Sequence, residues 1–306
     1  MEFGSVLFPE KVNFLMPPTH PATTRFLARQ GRPAYLQPRV YIGCPTWANK
    51  IWKGKYYPAG VPDKEYLHWY SQQFNTIELN TTFYQIPPPA LISKWHDQVG
   101  ADFMFCPKLP QLITQNWQLP QATALSLEFY RNLQAFQEHL GTSFLQLPTT
   151  FSPSKIDELI KYLECLPKDW ALALELRQES WFSQPKKLEV LFEVLEALGI
   201  TSVITDVAGR RDVLHQRLTT NTAFIRFNGY GLIPSDYARI DVWVQRLAEW
   251  FNLGLEKLYF FVHQENNLDT PILINYLIHK LNLAGGFNLK KPTQINQVIQ
   301  GSLFGS

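Results

Sequence analysis

The heptapeptide Ala171-Leu172-Ala173-Leu174-Glu175-Leu176-Arg177 alternates without a slip. In an extended strand successive side chains point to opposite faces. Leu172, Leu174 and Leu176 therefore form one greasy face. Ala171, Ala173, Glu175 and Arg177 form the other, small at its start and charged at its C-terminal end. A parallel barrel asks for this pattern: helices cover the outer face, and chemistry sits on the inner face at the strands' C-terminal rim. A segment of helical period, Lys186–Leu198, follows and ends at Gly199, a residue suited to a helix C-terminus.

Outward from this unit the same order recurs. Strands are expected at Val40–Gly43, Thr76–Asn80, Phe103–Lys108, Ser143–Leu147, Thr201–Asp206, Phe224–Asn228 and Lys257–Gln264. Helices are expected near Asp63–Phe74, Ala90–Val99, Leu125–Leu140, Ser154–Leu166 (capped by Ser152 or Ser154), Ser235–Phe251 and Thr270–Leu281. Eight strand–helix units in series, starting every 23 to 40 residues, predict an α/β fold of (β/α)8 TIM type over 39–283, with extensions at 1–38 and 284–306. A doubly wound sheet would call for GxGxxG after the first strand, which is missing. The sixth unit is the weakest, because TDVAGRRDVLHQRLTTNT (residues 205–222) leaves little room for a helix.

Alternation sends Glu78, Asn80, Lys108, Gln146, Glu175, Arg177, Arg226 and Asn228 to the mouth, and Asp206 and His263 end their strands there. Buried charge is expensive without a partner, so these groups either bind a ligand or pair among themselves, as Glu175 with Arg226 or Arg177. The loops add Trp47, Trp52, Tyr57, Tyr84, Trp117 and Trp181, which can be stacking platforms for bases or sugars or lids over the core. Trp69, Trp95, Trp243 and Trp250 fall inside helices and read as packing residues.

Composition narrows the classes. Of 306 residues, 45% are hydrophobic and 18% charged, enough for a large core, and the net charge of +2 excludes a globally basic coat for nucleic acid. The basic residues are uneven: Lys11, Arg25, Arg29, Arg32, Arg39, Lys50, Lys53 and Lys55 stand in a stretch to Pro62 that holds no acid, so it carries +8 and the remainder −6. With interleaved aromatic rings this reads either as a surface for phosphate and base or as a solvated tail and loop. Cys44, Cys106 and Cys165 have no CxxC or other ligand spacing, which argues against disulfides and a structural zinc. The absence of a membrane-length apolar run or a secretory leader points to the cytoplasm and away from a membrane.

Five blocks, IGCPTWANKIWKGKYYP, FNTIELNTTFYQIP, FMFCPKLPQLIT, LGTSFLQLP and ALELRQESWF, resemble the YecE-like barrels labelled domain of unknown function 72. The resemblance covers about 40–282 and implies a TIM-type barrel, while leaving the reaction open. It matches at Trp47, Trp52, Gly54, Tyr57, Pro58, Glu78, Asn80, Phe83, Tyr84, Lys108, Gln146, Glu175, Arg177 and Trp181. The chain departs from the family at Cys44-Pro45-Thr46-Trp47, where Thr-Ser-Gly-Trp is usual, and at Asn228, where a His is common. It also departs at His263–Asn267, in place of paired asparagines, so a role for His263 is not implied by the family.

Glu78 and Glu175, on opposite strands, are the candidate catalytic acid and base. Glu78, Glu175, Asp206 and His263 form a candidate oxygen-rich site for Mg²⁺ or Mn²⁺. Lys108 is read as an anion binder, since acidic neighbours should raise its pKa and oppose a Schiff base. Arg177, Arg226, Arg210, Arg211 and the backbone of Asn228–Gly231 add anion capacity. Trp47, Trp52, Tyr57, Asn80, Tyr84, Gln146, Trp181 and Asn228 would contact substrate. The expected activity is phosphodiesterase-like hydrolysis of an anionic substrate such as nucleic acid or a nucleotide. Sugar hydrolysis or isomerisation is the alternative, and a non-catalytic binding protein the second. The tail, Gln300-Gly301-Ser302-Leu303-Phe304, resembles the peptide by which bacterial replication proteins dock on the sliding clamp, with Gln300, Leu303 and Phe304 as contacts.

Overall fold

A computed structural model describes residues 3–30, 37–115, 119–264 and 267–295. Eight parallel strands run β1 Arg39–Cys44, β2 Thr76–Leu79, β3 Met104–Pro107, β4 Ser143–Gln146, β5 Leu172–Glu175, β6 Thr201–Asp206, β7 Thr222–Asn228 and β8 Lys257–His263. They pair in the order β3-β2-β1-β8-β7-β6-β5-β4. The β3–β4 seam is closed by isolated bridges, Phe105 to Leu140 and Lys108 to Phe144. The fold is an α/β (β/α)8 TIM-type barrel.

Helices α1 Pro21–Gln30, α2 Tyr66–Ser71, α3 Thr81–Tyr84, α4 Pro89–His96, α5 Gln111–Gln115, α6 Leu119–Leu133, α7 Ile156–Glu164, α8 Ser180–Ser183, α9 Pro185–Leu198, α10 Pro234–Leu253 and α11 Thr270–Gly285 surround the strands. Gly199, at φ 68°, ends α9 in the left-handed conformation that costs glycine least. Ser152 precedes the 3-10 turn Pro153–Lys155, but neither its side chain nor that of Ser154 makes a capping hydrogen bond; their hydroxyls bond to each other at 2.6 Å. Among the described residues, no helix is long and apolar enough to cross a membrane.

Two apolar layers hold the barrel. Leu172, Leu174 and Leu176 join the outer one, between strands and helices. Tyr41, Cys106, Phe144, Ala173, Val203, Phe224, Tyr259 and Phe261 fill the interior, a packed core and not a pore. Where β1 meets β2, a Cβ on Gly43 would stand 2.0 Å from the Thr76 carbonyl oxygen, so no larger residue fits there.

The sixth unit has only a 3-10 turn, Arg211–Val213, where a helix belongs. The segment ahead of β1 supplies the cover instead. Thr23 of α1 donates to the Gln216 carbonyl (2.9 Å) and accepts from Leu218 N–H (2.8 Å), and Leu27 is fully buried in the outer core. His20 reaches Glu189 of α9 (3.6 Å), and Trp250 of α10 donates to Thr19 (3.2 Å). The N-terminal extension is thus part of the helical ring.

The basic stretch is dispersed by the fold. Arg39 opens β1 at the barrel's N-terminal end, Lys50, Lys53 and Lys55 lie in the loop after β1, and Arg25 and Arg29 belong to α1. Arg32, Trp117, Gln300, Leu303 and Phe304 lie outside the described residues.

Candidate active site at the barrel mouth

Inward alternation delivers one polar side chain from each of seven strand ends. Arg226 of β7 lies between the two carboxylates. Its Nε and Nη2 donate to Glu78 Oε2 (2.9 Å) and Oε1 (2.8 Å), and its Nη1 to Glu175 Oε1 (3.1 Å) and Oε2 (3.0 Å). Lys108 donates to Gln146 Oε1 (2.9 Å), whose Nε2 donates to Glu175 Oε2 (2.7 Å). Thr205 (2.9 Å) and Arg177 Nε (3.1 Å) also donate to Glu175 Oε1. Asn80 donates to Glu78 Oε1 (2.9 Å), and His263 Nε2 stands 3.0 Å from Glu78 Oε2. The result is one continuous chain of charge-assisted hydrogen bonds across the barrel.

Several expectations change here. Glu78 and Glu175 do face one another, but with Arg226 between them they are not an acid–base pair. Burial pushes both carboxyls up; Arg226 and His263 outweigh it at Glu78, holding it well below the usual carboxylate range. At Glu175, Arg177 and Arg226 outweigh burial and hold it at about 2. Two permanently ionised carboxylates offer no general acid. Arg226 in turn has its pKa raised by Glu175 and Glu78 against the effect of burial, and its donors are spent on them, so it is no free phosphate clamp.

Asp206 leaves the site altogether. It points outward to the helices, where it accepts from Arg211, Arg239 Nη1 (3.1 Å) and Trp243 Nε1 (2.8 Å). The inward residue of β6 is Thr205, which alternation from Val203 would have selected. The metal set Glu78, Glu175, Asp206 and His263 therefore does not fit Mg²⁺ or Mn²⁺. One member is on the other face of the sheet, and a guanidinium fills the space between two others.

Three aromatic platforms are likewise core. Trp52, Tyr57 and Trp181 are each 0% exposed and are plugged in by hydrogen bonds to the carbonyls of Asn267 (2.9 Å), Trp47 (2.9 Å) and Phe151 (2.8 Å). Trp47 is half-buried, edge-on to Trp95, and Tyr84 stays exposed. Of the anion donors, Arg210 is spent on Asp212 and the Arg177 carbonyl, and Arg211 on Asp206. The amides of Gly229, Tyr230 and Gly231 are taken by the His263 carbonyl, Asp236 and Gln264.

Two features survive as reactive groups. Lys108 is buried, with its ammonium 4.1 Å from the centre of the Phe83 ring. Burial first and Arg226 second pull its pKa down to about 8, against the opposing pull of Glu175 and Glu78. The expectation of a raised pKa fails because those carboxylates are already neutralised. Lys108 should therefore acylate with a pH midpoint near 8, well below surface lysines. Peptide mass spectrometry after pulsed labelling checks this, and a midpoint above 10 would refute it.

The second is a cavity of about 290 Å³ at the rim, walled by Arg177, Thr205, Arg226, Asn228, His263 and Gln264 and roofed by Phe3–Ser5. A larger cavity, about 520 Å³, lies around Arg39–Ile42 and Gly100–Phe103, at the opposite end of the strands from the polar ring. The rim cavity is the one that meets the titratable groups, as barrel chemistry requires. In its wall, Gln264 accepts from Gly231 N–H through Oε1 (2.9 Å), while its buried Nε2 has no partner. A Cβ on Gly229 would lie 2.5 Å from that nitrogen, so glycine is what lets the amide in. In the sequence Gln264 is marked only as the last residue of the strand expected over Lys257–Gln264, one residue past the end of β8.

The family described as "Protein of unknown function DUF72" matches residues 41–296. The chain belongs to the DUF72 family. Its relatives include UPF0759 protein YecE of Escherichia coli (strain K12), 29% identical over 256 residues, which cover 78% of this chain and 91% of that protein. UPF0759 protein YunF of Bacillus subtilis (strain 168) is 30% identical over 207 residues, 62% of this chain and 70% of that one. Among solved structures, a DUF72 family protein from Thermotoga maritima is 25% identical at a TM-score of 0.58, covering 80% of this chain and 99% of that chain. One from Enterococcus faecalis is 16% identical at a TM-score of 0.62, covering 83% and 100%, a likeness of fold. Within this DUF72 barrel, the motif positions Glu78, Asn80, Lys108, Gln146, Glu175 and Arg177 all join one network.

Proposed function

We propose that the protein is an enzyme that holds a small anionic molecule in the rim cavity and moves a proton on it through His263. The observation that carries this reading is the unpartnered Gln264 Nε2 in the same wall as Arg177. A buried donor without an acceptor is costly unless a ligand oxygen completes it. Beside a guanidinium, that oxygen belongs to a phosphate or carboxylate. A volume of about 290 Å³ suits a molecule of nucleotide size or smaller and not a duplex.

His263 supplies the base. Glu78 is ionised and can only accept, so His263 Nε2 donates to it, and Nδ1 is the ring nitrogen left to gain and lose a proton. Nδ1 would take a proton from water attacking the bound ester and return it to the leaving oxygen as the ester bond breaks, with Glu78 stabilising the imidazolium in between, the arrangement of a carboxylate-oriented histidine. Arg177 then holds the substrate's charge. The sugar-directed alternative loses its platforms with Trp52, Tyr57 and Trp181 in the core.

Calorimetric titration with inorganic phosphate, a nucleoside monophosphate and a sugar phosphate tests the reading. Arg177→Met and Gln264→Leu are each expected to weaken binding about 10- to 100-fold, since a hydrogen bond to a charged group is worth about 1.5–3 kcal/mol. His263→Asn should bind within a few-fold of the parent yet lose turnover of whichever ester it hydrolyses. Unchanged affinity in both of the first two variants would sink the proposal.

A further inference from the structure

Away from the mouth, His96, Glu138 and His139 bring three ligand atoms within 4.8 Å of one another. His96 ends α4, and Glu138 and His139 end the 3-10 segment Gln134–His139. The two elements are locked together by Trp95 stacked on Phe136 (6.2 Å, 17°), itself stacked on Phe105 of β3 (4.3 Å). The cluster lies at the N-terminal end of β3, opposite the candidate active site, and is independent of the function proposed above.

Both imidazoles are oriented in the same way. His139, 3% exposed, has Nδ1 at 2.8 Å from the Phe103 carbonyl oxygen. A carbonyl only accepts, so Nδ1 carries the proton and Nε2 the lone pair. His96 has Nδ1 at 3.0 Å from Asp97 Oδ1, while its Nε2 is buried, has no hydrogen-bond partner, and stands 3.8 Å from Glu138 Oε2. A carbonyl or carboxylate behind Nδ1 is the outer support that metal-binding histidines use to aim Nε2. Ahead of Glu138, Gln137 sits at φ 50°, ψ −126°, a positive-φ conformation that a non-glycine residue keeps only where its surroundings demand it.

We propose that His96 Nε2, His139 Nε2 and the Glu138 carboxylate form a binding site for a zinc-class divalent ion, with water in a fourth position. Two imidazoles and one carboxylate suit a borderline transition metal, where Mg²⁺ and Ca²⁺ ask for oxygen alone. Tetrahedral zinc wants ligand atoms roughly 3.4 Å apart, so the three side chains, within 4.8 Å of one another, would draw in around the ion, the exposed Glu138 most freely. The ion would tie α4 to the segment after α6 and satisfy the otherwise orphaned Nε2.

The test is equilibrium dialysis of the chelator-stripped full chain against buffered Zn²⁺, with ions counted per chain. The parent protein should take up one ion that His96→Ala binds about 100-fold more weakly and Glu138→Gln more weakly by a lesser factor. Because buried His139 could be needed for folding, these two variants carry the test, with Zn²⁺ raising the melting temperature of the parent and not of His96→Ala. Cobalt-loaded protein should show the visible spectrum of nitrogen and oxygen ligands in a four-coordinate field. No zinc on the parent protein, zinc retained by His96→Ala, or a sulfur-to-cobalt band from the exposed Cys165 would each overturn the assignment.

Discussion

Replacing Arg226 by Met is expected to cost about 3–5 kcal/mol of folding stability, the usual penalty for stranding buried charge by removing its partner. Glu78 and Glu175 are 0% and 1% exposed, and among the described residues Arg226 is the one group bonded to both. Methionine keeps most of the volume, so the loss reports charge and not a cavity. The pH dependence should also shift. Without the guanidinium, Glu78 keeps only His263 against burial, so its pKa should rise, while Arg177 still holds Glu175 down; the variant should therefore lose less stability than the parent as the pH falls from 5 towards 3. Urea denaturation at several pH values measures both effects. A variant within 1 kcal/mol of the parent, with the parent's pH profile, would show that the network is not what holds the barrel's upper layer.

The second large effect is acid sensitivity centred on Glu175. Its folded pKa, held at about 2 by Arg177 and Arg226 against burial, lies below the ordinary value of 4.5. A depressed carboxylate contributes stability above its unfolded pKa and loses it as the pH falls through the folded one. The contribution is about 3 kcal/mol, fully present above pH 4.5 and gone near pH 2. Glu175→Gln should remove this window: less stable at pH 7, yet flatter between pH 4.5 and 2. Stability titrations of the two proteins would contradict the assignment if their acid limbs superimposed.

These expectations divide the mouth into two storeys. Glu78, Arg226, Glu175, Gln146 and Thr205 are a satisfied scaffold, and their removal should read out first in stability. Arg177, His263 and Gln264 line the cavity above it, and their removal should read out first in binding or turnover. Asp206 serves the scaffold from outside: through Arg239 and Asp236 it anchors α10 and the loop that carries Tyr230–Leu232.

The barrel was legible in the sequence because its signals are local. Strand alternation needs only the pleat, and it placed Glu78, Lys108, Gln146, Glu175 and Arg226 on the inner wall and Leu172, Leu174 and Leu176 on the outer one. Strand end and parity disagree at β6: Asp206 ends the strand but faces the helices, and Thr205, in phase with inward Val203, faces the barrel. A shift of one residue flips a side chain through the sheet.

What only the tertiary structure decided depends on neighbours distant in the chain. An indole in a loop is a platform or a plug according to whether carbonyls such as those of Asn267 and Phe151 come to meet it. A carboxylate pair is catalytic or inert according to what stands between, here one arginine from β7. The helix missing after β6 was replaced by α1, from the other end of the sequence, because an uncovered outer face of a strand is costly whichever segment covers it. Lys108 became a weaker base than its acidic neighbours suggested, since their charge was already spent. Periodicity reports which way a residue points, and packing decides what it meets there.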